Sequence, residues 1–189
     1  ILLTNFKLRH ICGFSIKKVM KSNRNIVFLG MMGSGKTSIG FLVSKKLKLD
    51  FYDVDHYIEN KLKMKISKIF KNKGEKFFRE YEEKITLEIL KKKSVIISLG
   101  GGAFLNKNIR KEILANHTSI WLNLDTETTI NRIKKSTKRP IAHNMTSQEL
   151  TKLLKKRSYI YAKALYKIDC MGLTKTEIIK RILSIHETN

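Results

Sequence analysis

The sequence predicts an α/β domain of three layers, α/β/α, around a central five-stranded parallel sheet. Three observations carry that expectation. Five short apolar runs alternate with stretches of helical periodicity, and strands separated by helices pair in parallel because each crossover returns the chain to the same sheet edge. The first run leads through a glycine-rich turn straight into a helix. With 189 residues, 42% of them hydrophobic, the chain suits one domain with one sizeable core.

The elements follow in order. Asn25 to Leu29 (NIVFL) is rich in branched residues and reads as a buried strand. Thr37 to Leu47 is a helix, with Ile39, Leu42, Val43 and Leu47 at helical spacing. Phe51 to Val54 is a second strand, followed by helices over Tyr57 to Lys63 and Ile66 to Lys73. Gly74 breaks the pattern, and Glu75 to Lys93 is the longest helical stretch. Val95 to Leu99 is a third strand, stopped by Gly100-Gly101-Gly102. Asn108 to Asn116 is a helix, Thr118 to Leu124 a fourth strand and Glu127 to Lys135 a helix. Ser136 to Ser147 is polar, holds the only proline, Pro140, and reads as a loop. A capping box, Thr146-x-x-Glu149, opens a helix running to about Ala164. Lys167 to Cys170 is a final edge strand. A second box, Thr174-x-x-Glu177, opens a last helix with Ile178, Ile179, Ile182 and Leu183 on one stripe.

The chain carries 39 Lys+Arg against 16 Asp+Glu, a formal net charge of +23. Such a charge suits a nucleic-acid or polyanion binder. It equally suits a lysine-biased composition, and here 31 of the 39 cations are lysine. Nucleic-acid readers lean on arginine for base edges and on aromatics for stacking. No such interleaving occurs, so no nucleic-acid partner is expected. No apolar run approaches the length of a transmembrane helix, so no membrane partner is expected either. Cys12 and Cys170 form no spaced motif, and the five histidines lack metal-ligand spacing. A monomer in the reducing cytoplasm is the expectation. Residues 1–24 read as an extension outside the fold, with residues 25–189 as the domain. The extension has no acid and several Lys/Arg, which also fits an organellar transit peptide. Met20 as the true start is the simpler alternative.

Gly30-Met-Met-Gly33-Ser34-Gly35-Lys36-Thr37 fits G-x-x-x-x-G-K-[ST] and lies between a strand and a helix, where its mechanism needs it. Its glycines let backbone N–H groups wrap an anion, and the helix N-terminus adds a positive dipole end. Lys36 would reach the outer phosphates of a nucleotide and Thr37 would ligate Mg²⁺. The motif narrows the fold to the P-loop NTPase type. Many such sites also place an acid after the third strand, but here that strand runs into three glycines. Asp53 and Asp55, after the second strand, are the remaining strand-end acids, and at a spacing of two in a strand they would share a face. They are candidates for metal and substrate roles, against the plainer reading of a solvated acidic turn. In a chain that uses lysine almost everywhere, a retained arginine hints at a need for the guanidinium fork. Arg79, Arg132, Arg139 and Arg157 are four of eight. Arg79 has Glu82 and Glu83 at i+3 and i+4, which could hold it rigidly.

Together these residues resemble the shikimate kinase family over about Asn25 to Ile185. The matching pieces are GMMGSGKTSIG, FYDVD, KGEKFFREYEE, SLGGGAF, KRPIA and KKRSYIYAKALY, in that order. The resemblance implies a nucleoside-monophosphate-kinase-like fold with a mobile lid at about 136–147. It implies ATP-dependent phosphorylation of the 3-hydroxyl of shikimate with Mg²⁺, a step towards chorismate and the aromatic amino acids. It further implies that Gly33, Ser34, Gly35, Lys36, Thr37 and Ser38 hold ATP, with Arg132 near adenine and Arg139 in the lid. Thr37 and, through water, Asp53 would serve the metal. Asp55, Arg79, Gly101, Gly102 and Arg157 would hold shikimate, and Lys36, Asp55 and Arg139 would act in catalysis. The segment Cys170 to Lys175 departs from the family in lacking a proline. The alternatives are a related kinase for another small hydroxy acid such as gluconate, and a basic nucleic-acid-binding module.

Overall fold

The computed structural model describes residues 24–135 and 145–188. The expected five parallel strands form one sheet, and its order is β2-β3-β1-β4-β5: β1 Ile26–Leu29, β2 Asp50–Asp53, β3 Val95–Ser98, β4 Thr118–Asn123 and β5 Tyr166–Asp169. β1 is central, with Val27 in register with Ile97 on one side and Ser119 on the other. The helices are α1 Lys36–Leu47, α2 Val54–Leu62, α3 Ile66–Leu90, α4 Lys107–Asn116, α5 Thr126–Lys134, α6 Ser147–Tyr161 and α7 Lys175–Thr188. A short 3₁₀ turn at Ala103–Leu105, not expected from the sequence, follows the three glycines.

Strand alternation builds the layers. Val27 and Leu29 of β1, with Ile97 and Trp121, pack on the side of α2 to α6. Ile26 and Phe28, with Ile96, Ile120, Leu122 and Ile168, pack against Ile39 and Val43 of α1 and Ile178, Ile179 and Ile182 of α7. Both faces are covered at the centre of the sheet, so β1 (IVFL) and β3 (VIIS) are buried at every position rather than alternating, whereas the edge strands β2 and β5 carry charged residues. α1 lies close to the sheet because Gly40 has no side chain; a Cβ there would stand 2.7 Å from the ring of Phe51. Just before β1, Asn25 is fully buried. Its amide donates to the carbonyls of Leu90 and Lys92 at 3.0 and 2.8 Å and accepts from Val95 N–H at 3.1 Å, tying β1 to the turn before β3.

The punctuation expected from sequence holds where a named chemistry sets it. Thr146 and Glu149 form a reciprocal capping box, and Thr174 and Glu177 exchange the same pair of bonds. Gly74 interrupts α3 at φ 81°, ψ 168°. Other boundaries differ. α2 starts three residues earlier than its apolar pattern suggests, because Asp53 caps it by accepting from His56 N–H at 3.1 Å. α6 ends at Tyr161 rather than near Ala164.

Candidate active site

The chain reverses direction across the sheet at β1: β2 and β3 lie on one side of it and β4 and β5 on the other. Ligands of such sheets bind in the crevice at the carboxyl ends of the strands near that switch point. The P-loop leaves β1 there, Asp53 closes β2, and the three glycines follow β3. A cleft of about 570 Å³ opens between the P-loop and the segment after β5, and Asp53, Asp55, Arg132 and Lys175 all face it.

The P-loop takes its shape from Gly33 at φ 81° and Gly35 at φ 92°, a region that side-chain-bearing residues rarely adopt. Gly33, Ser34, Gly35, Thr37 and Ser38 line the cleft. Lys36 is buried, and its Nζ donates to the carbonyls of Gly30 and Met31, both at 2.9 Å, which fixes a positive charge against the start of the loop. Ser34 Oγ is buried with no hydrogen-bond partner among the described residues. Arg132, from α5, lies over the loop and donates to Gly33 O at 3.2 Å.

Thr37 Oγ1 donates to Asp53 Oδ2 at 2.6 Å. A hydroxyl and a carboxylate thus meet at the mouth of the P-loop. Hard oxygen donors of this kind, few in number and beside phosphates, are the donor set Mg²⁺ prefers, since it keeps several waters and takes only one or two carboxylates. Among the described residues no group of three or more His, Cys, Asp or Glu could form an all-protein metal cage. The expected strand geometry of Asp53 and Asp55 is not what brings them together. Asp53 ends β2 and caps α2, while Asp55 is already in the first turn of that helix. Both still face the cleft.

Two of the three glycines after β3, Gly100 and Gly102, leave space that charged groups occupy. A Cβ on Gly100 would stand 2.5 Å from Asp55 Oδ1 and 2.6 Å from Glu82 Oε1. One on Gly101 would lie 3.7 Å from Arg157 Nη1, and one on Gly102 would collide with Arg79 Nη1 at 2.6 Å. Three consecutive residues without side chains therefore gather two carboxylates and two guanidiniums around one turn. Arg157, on α6, donates through Nη1 to Gly101 O at 3.3 Å, and its Nε is buried without a partner among the described residues. Tyr161, one helical turn on and buried, donates its hydroxyl to the same carbonyl.

Arg79 is held from both sides along α3. Its Nε donates to Glu75 at 3.2 Å and its Nη1 to Glu82 at 2.6 Å. The rings of Phe70 and Phe78 lie 5.8 and 5.2 Å from its guanidinium carbon. No bond from its Nη2 to the protein is present among the described residues. Glu83 does not take part, contrary to the i+4 expectation; it turns outward and accepts from Asn106 and Asn108 at the start of α4. Burial pushes the Glu82 carboxyl above the ordinary glutamate value and nearby Asp55 adds to the rise, while Arg79 and Arg157 oppose it. The partnership with Glu82 outweighs desolvation at Arg79, whose guanidinium is held charged more firmly than usual.

The structure thus brings Lys36, Thr37, Asp53, Asp55 and Arg132 to the cleft, and Arg79, Arg157, Gly101 and Gly102 to the adjoining turn. Arg139 and most of the expected lid lie outside the described residues. Tyr161 is a site residue that the sequence did not single out, and its signal was the i+4 spacing from Arg157. Glu82 was expected from its i+3 spacing to brace Arg79, and it also reaches the glycine turn. Cys170, Leu173 and Lys175 also face the cleft, which gives the proline-free segment a place beside the nucleotide end. Burial raises the Cys170 thiol to about 11, so it stays protonated and inert.

A family model described as shikimate kinase matches residues 32–187. A shikimate kinase of Bartonella henselae is 39% identical over 160 residues, covering 82% of this chain and 76% of its own. One of Thermodesulfovibrio yellowstonii is 40% identical over 165 residues, covering 87% and 95%. Among solved structures, the shikimate kinase of Acinetobacter baumannii in complex with shikimate superposes with a TM-score of 0.81 at 29% identity, covering 87% of this chain and 93% of that one.

Proposed function

The chain belongs to the shikimate kinase family, and from that premise we propose that it transfers the γ-phosphoryl group of ATP to the 3-hydroxyl of shikimate, giving 3-phosphoshikimate and ADP. The observation that carries the substrate side is the glycine turn. Shikimate offers one carboxylate and three hydroxyls, and the turn presents two guanidiniums and a carboxylate within reach of one small ligand. Planar guanidiniums match a carboxylate in pairs of hydrogen bonds, and a carboxylate accepts from hydroxyls.

On this reading Arg79 and Arg157 hold the substrate carboxylate, with the Gly101 and Gly102 backbone as floor. Glu75 and Glu82 fix the Arg79 fork in advance, so little side-chain entropy is lost on binding. Asp55 stands between that turn and the nucleotide cleft. There it orients the reacting hydroxyl and accepts its proton as the phosphoryl group arrives. Gly33, Ser34, Gly35, Lys36, Thr37 and Ser38 cradle the phosphates, Arg132 lies along the base side, and Arg139 serves in the lid. Thr37, with Asp53 through water, would hold Mg²⁺, which when bound offsets phosphate charge. Phosphoryl transfer needs little beyond such positioning and charge stabilisation. The partners are ATP and shikimate, with neither nucleic acid nor membrane; among the described residues no helix is long and apolar enough to cross a bilayer. A cytoplasmic monomer is the simplest setting for this chemistry.

ADP release with a panel of hydroxy acids tests the assignment. Shikimate should stimulate Mg²⁺-dependent ADP release far above gluconate, nucleoside monophosphates or water. Equal turnover with gluconate would overturn it.

A further inference from the structure

Lysine is not spread evenly along this chain. Residues 61–76 hold seven of the 31 lysines and one acid, Glu75. All seven, Lys61, Lys63, Lys65, Lys68, Lys71, Lys73 and Lys76, are exposed. Of the acids nearby, Glu75 pairs with Arg79, Glu59 pairs with Lys65 at 2.9 Å and accepts from the Ile66 N–H, and Glu80 is exposed, so the cations of the segment still outnumber its acids. This segment ends α2 and forms the first part of α3, and it is joined to the site through its apolar side. Phe70 packs on Phe78, ring centroids 4.7 Å apart, and both rings lie against the Arg79 guanidinium. The cationic surface therefore belongs to the segment that packs directly against the Arg79 guanidinium.

We propose that the Lys61–Lys76 surface collects the anionic hydroxy-acid substrate, raising its local concentration at the Arg79 end of the site. The inference rests on the function proposed above. A cluster of like charges beside a cleft focuses the field and raises the encounter rate of an oppositely charged ligand, and this effect fades with ionic strength. Among the described residues Lys68, Lys71 and Lys76 make no hydrogen bond or ion pair, so their charge can be removed without dismantling the described structure.

The test compares the wild-type chain with the triple variant Lys68→Gln, Lys71→Gln, Lys76→Gln. A second triple, Lys45→Gln, Lys46→Gln, Lys48→Gln, removes the same net charge at the far end of α1, about 14–18 Å from Lys36 along the helix. At about 10 mM ionic strength, where the screening length is roughly 30 Å, kcat/KM for shikimate should fall about three- to tenfold in the first triple and clearly less in the second. Turnover at saturation should be unchanged in both. Near 1 M salt all three proteins should converge. Equal salt slopes for wild type and the first triple would overturn the proposal while leaving the kinase assignment standing. So would a loss of kcat/KM for ATP as large as that for shikimate, or a defect confined to retention on an anionic polymer. No turnover with shikimate in any of the three would overturn both.

Discussion

Arg79 shows how a single residue is prepared for one task. It is half-buried, flanked by two rings and tethered at Nε and Nη1 to separate glutamates. Lysine in its place keeps the charge but has no planar fork to satisfy two carboxylate oxygens. A hydrogen bond to a charged group is worth about 1.5–3 kcal/mol, so Arg79→Lys should weaken shikimate binding about 10- to 100-fold. Calorimetry should show the ATP dissociation constant almost unmoved, and an equal shift in both would remove Arg79 from the clamp. Glu82 sets a second expectation. Its folded-state value lies above the ordinary 4.5, so between the two values the folded chain binds more protons than the unfolded one. This group's contribution to stability therefore grows as pH falls through the folded value towards 4.5, and is lost as pH rises. In function the sign is opposite, because protonation dissolves the ion pair that fixes Arg79. Acidification above pH 4.5 should weaken shikimate binding in the wild type, and Glu82→Gln should flatten that limb. Over the same interval, melting curves should show the wild type gaining stability relative to the variant.

At the scale of elements, α3 is informative because it is two helical segments joined at Gly74. The backbone there, φ 81° and ψ 168°, lies in a region essentially reserved for glycine. A Cβ would meet nothing within 4 Å, so Gly74→Ala adds strain and no collision. Such strain costs about 1–3 kcal/mol, and at about 2–4 °C per kcal/mol for a domain of this size the melting temperature should drop by several degrees. The break lets the first segment place Phe70 on Phe78, so the shikimate KM should also rise, with the ATP KM unchanged. An alanine variant that melts like the wild type would show that the break is not needed. The contrast with Gly102 is useful, since there the missing Cβ makes room for a guanidinium rather than relieving backbone strain.

At the scale of the whole molecule, Asn25 is the first buried polar anchor among the described residues. Asn25 satisfies three backbone groups near β3, and its carbonyl accepts from Thr118 N–H at 2.9 Å at the start of β4. A chain starting at Met20 keeps every described residue, so it should retain its melting temperature and its turnover with shikimate. A large loss of either on truncation would place the preceding segment within the working enzyme. The five strand ends deliver the P-loop, the acids, the glycine turn and both edges of the nucleotide cleft to one rim of the sheet.

The sequence by itself determined the architecture and the phosphate site, because both are written in local terms. Branched apolar runs make strands, glycines at fixed offsets make the anion loop, and paired Thr and Glu residues mark helix starts. Tertiary structure alone decided how the charged groups gather around the glycine turn. That Asp53 caps a helix, rather than sharing a strand face with Asp55, depends on where β2 yields to α2. Why three glycines follow β3 was invisible in sequence. Gly100 makes room for Asp55 and Glu82 and Gly102 for Arg79, side chains supplied by α2 and α3, while Arg157 of α6 reaches the Gly101 carbonyl from 56 residues away. The choice of Glu82 and not Glu83 as the partner of Arg79 depends on α4, whose asparagines draw Glu83 outward. Local chemistry fixes elements and loops, whereas contacts distant in sequence form only when those elements pack, and it is that packing which turns scattered arginines and acids into one site.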